Sequence, residues 1–340
     1  MASNPIILGC EFTGNVAFDA GGGIYNNESS PTVEACILKG NRSANIGGGI
    51  YNSQSSPTVT NCVFIANKAQ TAGGGMYNLD ASPSVVNCIF RGNQAHTYGA
   101  GMYNGRSSST VINCSFSGNT AFNGAGMANL GSSPAITTIS NCTFSGNIAF
   151  TTGGGILNLS SSPITITDSI LWGDVPEFAN LTAENPTILY TDLQGGGGEG
   201  VGNIDADPMF VRPPDPGPDG LWDGVDDDYG DLRLQPGSPC INAGDPDFVP
   251  QPGETDLDGH ARLLCGRVDM GAYEFGIGDY DCDHAVDLTD FANWEACATD
   301  PSLNPNPQSL DPPCLAFDFD ADADVDLVDF YRLQQIVISP

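Results

Sequence analysis

Two twelve-residue acidic segments, thirty-nine residues apart, hold the residues best suited to chemistry in this chain. The first carries Asp279, Asp281, Asp283, Asp287 and Asp290 at its positions 1, 3, 5, 9 and 12, and the second carries Asp318, Asp320, Asp322, Asp326 and Asp329 at the same positions. Carboxylates so spaced curl oxygen ligands around a hard cation such as calcium. Position 7, here Ala285 and Asp324, adds a backbone carbonyl, and position 9 often works through water. In a free loop these like charges repel one another, and a divalent ion removes that repulsion. Both copies also have Val at position 8, Leu at position 10 and Asp-Phe at positions 12–13. The spacing therefore predicts two Ca2+ sites, each feeding a short helix.

The charge is distributed to match. The formal net charge is −31, from 41 acids and 10 bases. Residues 1–170 hold six acids and five bases, a net of −1, which leaves 35 acids and five bases, a net of −30, for the remainder. A salt-adapted protein would be acidic throughout; here the charge sits where the cation loops are. Ten scattered bases make no stripe able to neutralise phosphates, so nucleic acid is excluded as a partner. No run of eighteen apolar residues occurs, so no transmembrane segment is expected. The first ten residues show no export signal and open inside a repeat, and we read the N-terminus as truncated. Loops of this kind suit extracellular calcium concentrations, which favours a secreted or cell-surface location.

The elements that must position this chemistry begin with a repeat. Gly-Gly-Gly-Ile-Tyr-Asn starts at Gly21 and recurs at Gly47, at Gly73 with Met76, and as variants at Gly99, Gly124 and Gly153. Cysteines keep the same ~26-residue interval at positions 10, 36, 62, 88, 114 and 142, with Ser169 in the next slot. An F-x-x-N element follows nearly every one, from Phe12/Asn15 to Phe144/Asn147, with Leu38/Asn41 as the variant. Each unit has short β-like runs and turn residues and no helical period. It cannot bury its apolar face alone and must stack.

Relative to the Cys, apolar residues fall at −3, 0 and +2, so the strand must bend by one residue. Asn61, Asn87, Asn113 and Asn141 at −1 tolerate the left-handed conformation such a bend needs. Ile24, Ile50, Met76, Met102, Met127 and Ile156 should point inward, followed two residues later by an inward Asn column. The expectation is a mainly β protein: a right-handed parallel β-helix of about seven three-sided coils over residues 1–175. A closing region spans 176–276, and a small α-helical calcium-binding domain spans 277–340.

The GG-x-I and F-x-x-N pairing over residues 5–175 resembles the repeats of polymorphic outer-membrane proteins and other bacterial surface β-helix proteins. That resemblance implies adhesive, surface-displayed solenoids rather than active sites. Tyr25, Tyr51, Tyr77 and Tyr103 should form an outward ladder with coils ~4.8 Å apart. The ladder is either a platform for sugar rings or a protein partner, or a stack that stabilises the sheet. The cysteine column is expected to hold buried free thiols, because parallel in-register side chains align poorly for disulfides.

A glycosidase would need two carboxylates flanking the scissile bond, and a lyase a base with acids on adjacent coils. The six acids of residues 1–170 do not recur at the coil interval, and His96, Arg91 and Arg106 read as single surface residues. No catalytic residue is assigned. A carbohydrate-active β-helix enzyme, either a polysaccharide lyase or a glycoside hydrolase, is the alternative. A self-associating surface-layer component is a third reading.

Residues 176–276 are rich in Gly, Pro and Asp. Their order, from Asn203-Ile-Asp205 through Leu232–Gly244 and Thr255-Asp-Leu-Asp-Gly to Arg267–Phe275, resembles the closing region of proteins with interchangeable anchors, the choice-of-anchor domains. Such a segment should cap the last coil. Cys240 and Cys265 are placed to close it with a disulfide contributing roughly 3 kcal/mol. Asp219, Asp223, Asp226, Asp227, Asp228 and Asp231 are a further cation site or a solvated loop.

Residues 278–336 resemble a type I dockerin, with paired EF-hand-type loops. The resemblance implies calcium ligands at the ten loop aspartates and a cohesin-like or cell-surface protein partner. Leu288/Leu327, Phe291/Phe330 and Trp294/Leu333 correspond between the copies and would pack the helices together. Cys297 and Cys314 could staple the linker, which a domain this small needs. His284 and Ala323 replace the usual Gly at position 6. Leu288-Thr289 and Leu327-Val328 replace the usual Ser-Thr pair that reads a cohesin, so calcium binding carries over better than the partner does. The combined expectation is a non-enzymatic protein serving adhesion or polysaccharide association, docked through its calcium-ordered end.

Overall fold

The computed structural model of the protein describes residues 4–131, 136–161, 163–181, 185–196, 200–222, 224–283, 286, 288–297, 312–319 and 325–338. Every coil of the body contributes one strand to each of several parallel sheets. The second coil shows the pattern: Thr32–Glu34, Ile37–Lys39, Arg42–Ser43 and Ile50–Ser53. The coil thus has four strands rather than the three sides expected, because the short strand after F-x-x-N, two residues long in the early coils, forms a ladder of its own. In the order met along a coil we number these sheets one to four. Registers follow the repeat, as in Val63↔Ile89 and Met76↔Met102. The structure is a parallel β-solenoid of about seven coils, and the first two sheets run on through Thr187–Leu189 and Asp192–Leu193, beyond the expected limit at 175.

The bend between the first two sheets falls where the apolar spacing placed it. Asn61, Asn87, Asn113 and Asn141 have φ of 54°, 52°, 50° and 52°, and Ala35 and Asp168 take the same conformation in neighbouring coils. That single left-handed residue lets Val59, Cys62 and Phe64 all point inward despite their uneven spacing. The core is built of repeated columns. Phe64, Phe90, Phe116 and Phe144 stack with centroids 4.4, 4.6 and 4.5 Å apart and are fully buried. Each contributes about 2 kcal/mol by burial.

Two asparagine ladders carry the polar side of the core. In one, Asn26, Asn52 and Asn78 each donate from Nδ2 to the Oδ1 of the next coil at 2.8 to 2.9 Å. In the other, each Asn accepts from both the backbone N and the Nδ2 of the preceding one, as Asn93 does from Asn67. These bonds satisfy amides that would be costly to bury alone. Gly48 makes the close coil-to-coil approach possible, since a Cβ there would lie 2.5 Å from the Gly74 carbonyl.

Cys36, Cys62, Cys88, Cys114 and Cys142 are buried free thiols, whereas Cys10, expected buried with them, is free but exposed. From Cys10 to Cys114 each backbone N donates to the next Sγ at 3.4 Å, Cys142 N donates to Ser169 Oγ at 3.1 Å, and the thiols donate to backbone carbonyls. Burial pushes the Cys114 thiol well above its usual range. The column is apolar filling with weak hydrogen bonds.

The segment after the solenoid lies along its flank. Phe210–Arg212 pairs antiparallel with Asp231–Leu234. Phe210, Leu232, Leu234, Cys240, Ile241 and Met270 form a second core against Ile170 on the outside of sheet two. The expected cap over the last coil is therefore, for residues 210–275, a lateral brace. Its cause is visible in the outward positions of sheet two: exposed Ile37 and Lys39 give way to Ser115, Ser117, Thr143 and Ser145, all buried and small enough for another layer.

Arg262 bolts the layers together. Its guanidinium, fully buried, meets Glu274 at 3.1 Å and donates to the Gly271 carbonyl at 3.1 Å. The Asn141 amide, turned with its oxygen inward, accepts from Arg262 Nε at 3.1 Å. One of the left-handed bend residues thus doubles as a docking point.

Disulfides differ from expectation in one pairing. Cys265 bonds Cys282 and Cys297 bonds Cys314. Cys240 stays free because it points into the second core, where its Sγ donates to Asp192 Oδ2 at 3.3 Å.

Candidate functional site

The first acidic loop closes on its own last carboxylate. Asp290 Oδ1 accepts from the backbone N of Tyr280 at 2.7 Å and of Asp281 at 3.2 Å, and Asp279 Oδ1 accepts from Asp283 N at 3.2 Å. Asp279, Asp281 and Asp283 each bring a carboxylate oxygen within 4.8 Å of the others, a spread one divalent cation can span. Asp279 and Asp290 are buried, while Asp281 and Asp283 reach the surface.

The second loop repeats the closure: Asp329 Oδ1 accepts from Phe319 N at 2.7 Å, again position 12 onto position 2. Asp329 Oδ2 also accepts from Asp326 N at 2.8 Å, while Asp326 Oδ1 accepts from Val328 N at 2.6 Å. Asp326 thus caps the helix Leu327–Ile338 at its second N–H, and Asp329 reaches back to the cap's own N–H. Positions 9 and 12 therefore have a helix-starting duty beside any metal, and Asp318 is buried at the loop entrance. The expected ligands Ala285, Asp287, Asp320, Asp322 and Asp324 lie outside the described residues.

Residues 277–340 hold fourteen acids and one base, Arg332. Arg332 spends a donor on the Phe319 carbonyl. Four buried aspartates beside a single arginine are a donor set that fits hard divalent cations. Around the loops, Phe317, Phe319, Val325 and Leu333 form a small core with Trp294, whose ring lies 4.7 Å from Phe330. Leu288 was expected in this packing but is 73 % exposed, since the helix Leu288–Phe291 turns it outward. The side chains of Phe291 and Leu327 lie outside the described residues.

Sequence reasoning missed the partner of this first loop. Cys282 sits at its position 4 and is bonded to Cys265 in the flanking brace. The only available signal was an odd cysteine between two ligands.

The tyrosine ladder stacks on itself. Tyr25, Tyr51, Tyr77 and Tyr103 have centroids 4.9, 5.5 and 4.6 Å apart and interplanar angles of 21°, 15° and 10°. Neighbouring rings occupy one another's faces, so the strip presents edges rather than stacking faces for a sugar. Arg106, read as a lone surface residue, meets Asp80 one coil away through two hydrogen bonds of 2.7 and 2.6 Å. That arginine holds the Asp80 carboxyl below its usual range.

The acidic stretch of the brace serves its own turns. Asp215, Asp219 and Asp228 accept from the backbone N of Gly217, Leu221 and Gly230, and Asp228 pairs with Arg212. Among the described residues no three of these acids converge on a cation-sized space. The same loop drives Trp222 and Tyr229, stacked 5.2 Å apart, against the solenoid. Gly118 admits them: its φ is +61°, and a Cβ there would meet Tyr229 at 2.7 Å and Trp222 at 2.9 Å.

Between this loop and sheet three lies a cleft of about 310 Å3. Gln94 and Thr120 form its floor, His96, Phe122 and Phe150 one rim, and Leu221 with Trp222 the other. Gln94 Nε2 donates to the Trp222 carbonyl at 2.7 Å and ties the rims together.

Buried carboxyls mark the far end of the solenoid. The second asparagine ladder ends on Asp174, whose Oδ1 accepts from Asn147 N at 2.7 Å and Nδ2 at 2.8 Å. Its backbone N donates to Glu177 Oε1 at 2.9 Å. Burial raises Asp174 to about 7 and Glu177 to about 9.

Residues 1–116 match the family described as right handed beta helix region. No curated protein matches the chain. The parallel, in-register sheets agree with that match, which supports a right-handed β-helix for the repeat region. No described helix is long and apolar enough to cross a membrane.

Proposed function

We propose that this is a secreted or cell-surface, non-enzymatic β-helix protein that associates with carbohydrate and is attached through a calcium-ordered, dockerin-like terminal module. The observation that carries the reading is the shared closure of the two acidic loops, position 12 onto the backbone of position 2, made by buried Asp290 and Asp329. A peptide that keeps this register twice keeps the ligand spacing of a calcium loop twice. Calcium would neutralise the clustered carboxylates and fix each loop to its helix. Asp279, Asp281, Asp283 and Asp290 would hold one ion, and Asp318, Asp326 and Asp329 would join the remaining second-loop acids around the other. The partner in this reading is a cohesin-like or other surface protein.

Calorimetric titration of the full chain with calcium tests it. Two sites and a gain of helical signal are expected, and Asp290→Ala with Asp329→Ala should remove both. A flat isotherm with unchanged circular dichroism would overturn the module.

A further inference from the structure

The cleft on sheet three is placed to hold a specific kind of ligand. Its rim differs from the tyrosine ladder in geometry: His96 and Phe122, and Phe122 and Phe150, meet edge-on at 64° and 61°. Edge-on rings leave faces uncovered, and Phe122 and Phe150 are 44 % and 57 % exposed. Uncovered aromatic faces accept the C–H surfaces of a sugar ring. The floor supplies polar groups at one-coil spacing, and the Thr120 hydroxyl is buried there without a hydrogen-bond partner.

The same outward column continues from Thr120 and Gln94 to Lys68 and then Arg42, which pair in register on adjacent coils. Both are exposed, and among the described residues neither forms an ion pair. In a chain of net charge −31, two adjacent unpaired cations beside an aromatic cleft define one positive end. The acidic brace covers the other end, where its rings sit over Gly118.

We infer that this cleft binds an acidic oligosaccharide lying along the solenoid axis, with sugar faces on Phe122 and Phe150 and a uronate carboxylate on Lys68 and Arg42. The inference rests on the carbohydrate-association reading above and supplies its site and ligand class.

The test is calorimetric titration of the full chain with a hexamer of galacturonic acid and with its methyl ester, in calcium-free buffer because calcium bridges such acids itself. The hexamer should bind, and the ester about tenfold more weakly. Arg42→Glu with Lys68→Glu, and separately Phe150→Ala, should each weaken the hexamer by about tenfold or more. Lys39→Glu, a single charge reversal on sheet two, and Lys68→Glu alone form the matched pair: the first should leave hexamer binding unchanged and the second should weaken it. Binding that ignores the cleft variants, or that Lys39→Glu weakens equally, overturns the site while leaving carbohydrate association standing. Equal binding of acid and ester overturns the ligand class. Failure of both hexamers to bind overturns the inference and removes support from the association reading, whatever calcium does at the terminal module.

Discussion

Replacing Asp174 by Asn should stabilise the solenoid at neutral pH. Asp174 occupies the place that an asparagine holds in the preceding coils, and its Oδ1 already makes the ladder bonds an amide oxygen would make. Its Oδ2 is buried without a partner, as is Oε2 of Glu177. An amide at 174 keeps the ladder-accepting oxygen and replaces the unpartnered, ionisable one with a neutral NH2 group. The carboxyl stands at about 7 in the folded protein against an ordinary value of 3.8. The folded state therefore holds more protons than the unfolded state across that window, and stability falls as pH rises through it. At pH 7.5 the gap amounts to an upper figure of about 4 kcal/mol, and at pH 5 to under about 2 kcal/mol. Urea unfolding of Asp174→Asn and the parent chain at both pH values reads this directly. The variant should gain most at pH 7.5, with the gain shrinking on acidification. A variant no more stable than the parent at pH 7.5, or a gain that grows at pH 5, would refute the account.

Three further outcomes follow from the packing. Arg262→Ala should cost about 3–5 kcal/mol, because Glu274 would stay buried without its partner; a melting temperature within error of the parent would contradict the bolt. Gly118→Val should expel Trp222 and Tyr229 from the solenoid flank, seen as a red-shifted tryptophan emission and a loss of about 1–3 kcal/mol. Cys282→Ser should weaken calcium at the first loop and spare the second, so a titration showing two equally affected sites would exclude an ordering role for that disulfide.

The solenoid was legible because its rule repeats. One left-handed residue per coil, read from the uneven −3, 0, +2 spacing at Val59, Cys62 and Phe64, predicts the bend and the inward columns together. The fourth strand was missed because two residues such as Arg42–Ser43 are too short to show an alternation. The lateral brace was hidden in a change of size, Ile37 and Lys39 becoming Ser115 and Ser117, which matters only once another layer is known to cover them. The acidic loops were visible from ligand spacing, whereas the Cys265–Cys282 bond was not, since connectivity does not follow from cysteine positions. The cleft escaped notice because Thr120 and Trp222 are a hundred residues apart, and only folding makes them neighbours.

The Cys265–Cys282 bond gives the molecule a defined line of mechanical load. A pull on the carboxy-terminal end passes from Cys282 straight into Cys265, so residues 266–281 form a slack bight. Within that bight lie Gly271 and Ala272, whose backbone N–H groups donate to the Asp168 carbonyl and the Thr143 hydroxyl of the solenoid. Tension applied at that end therefore bypasses the stretch that would otherwise peel away first, as a strain-relief loop protects a cable where it enters its housing.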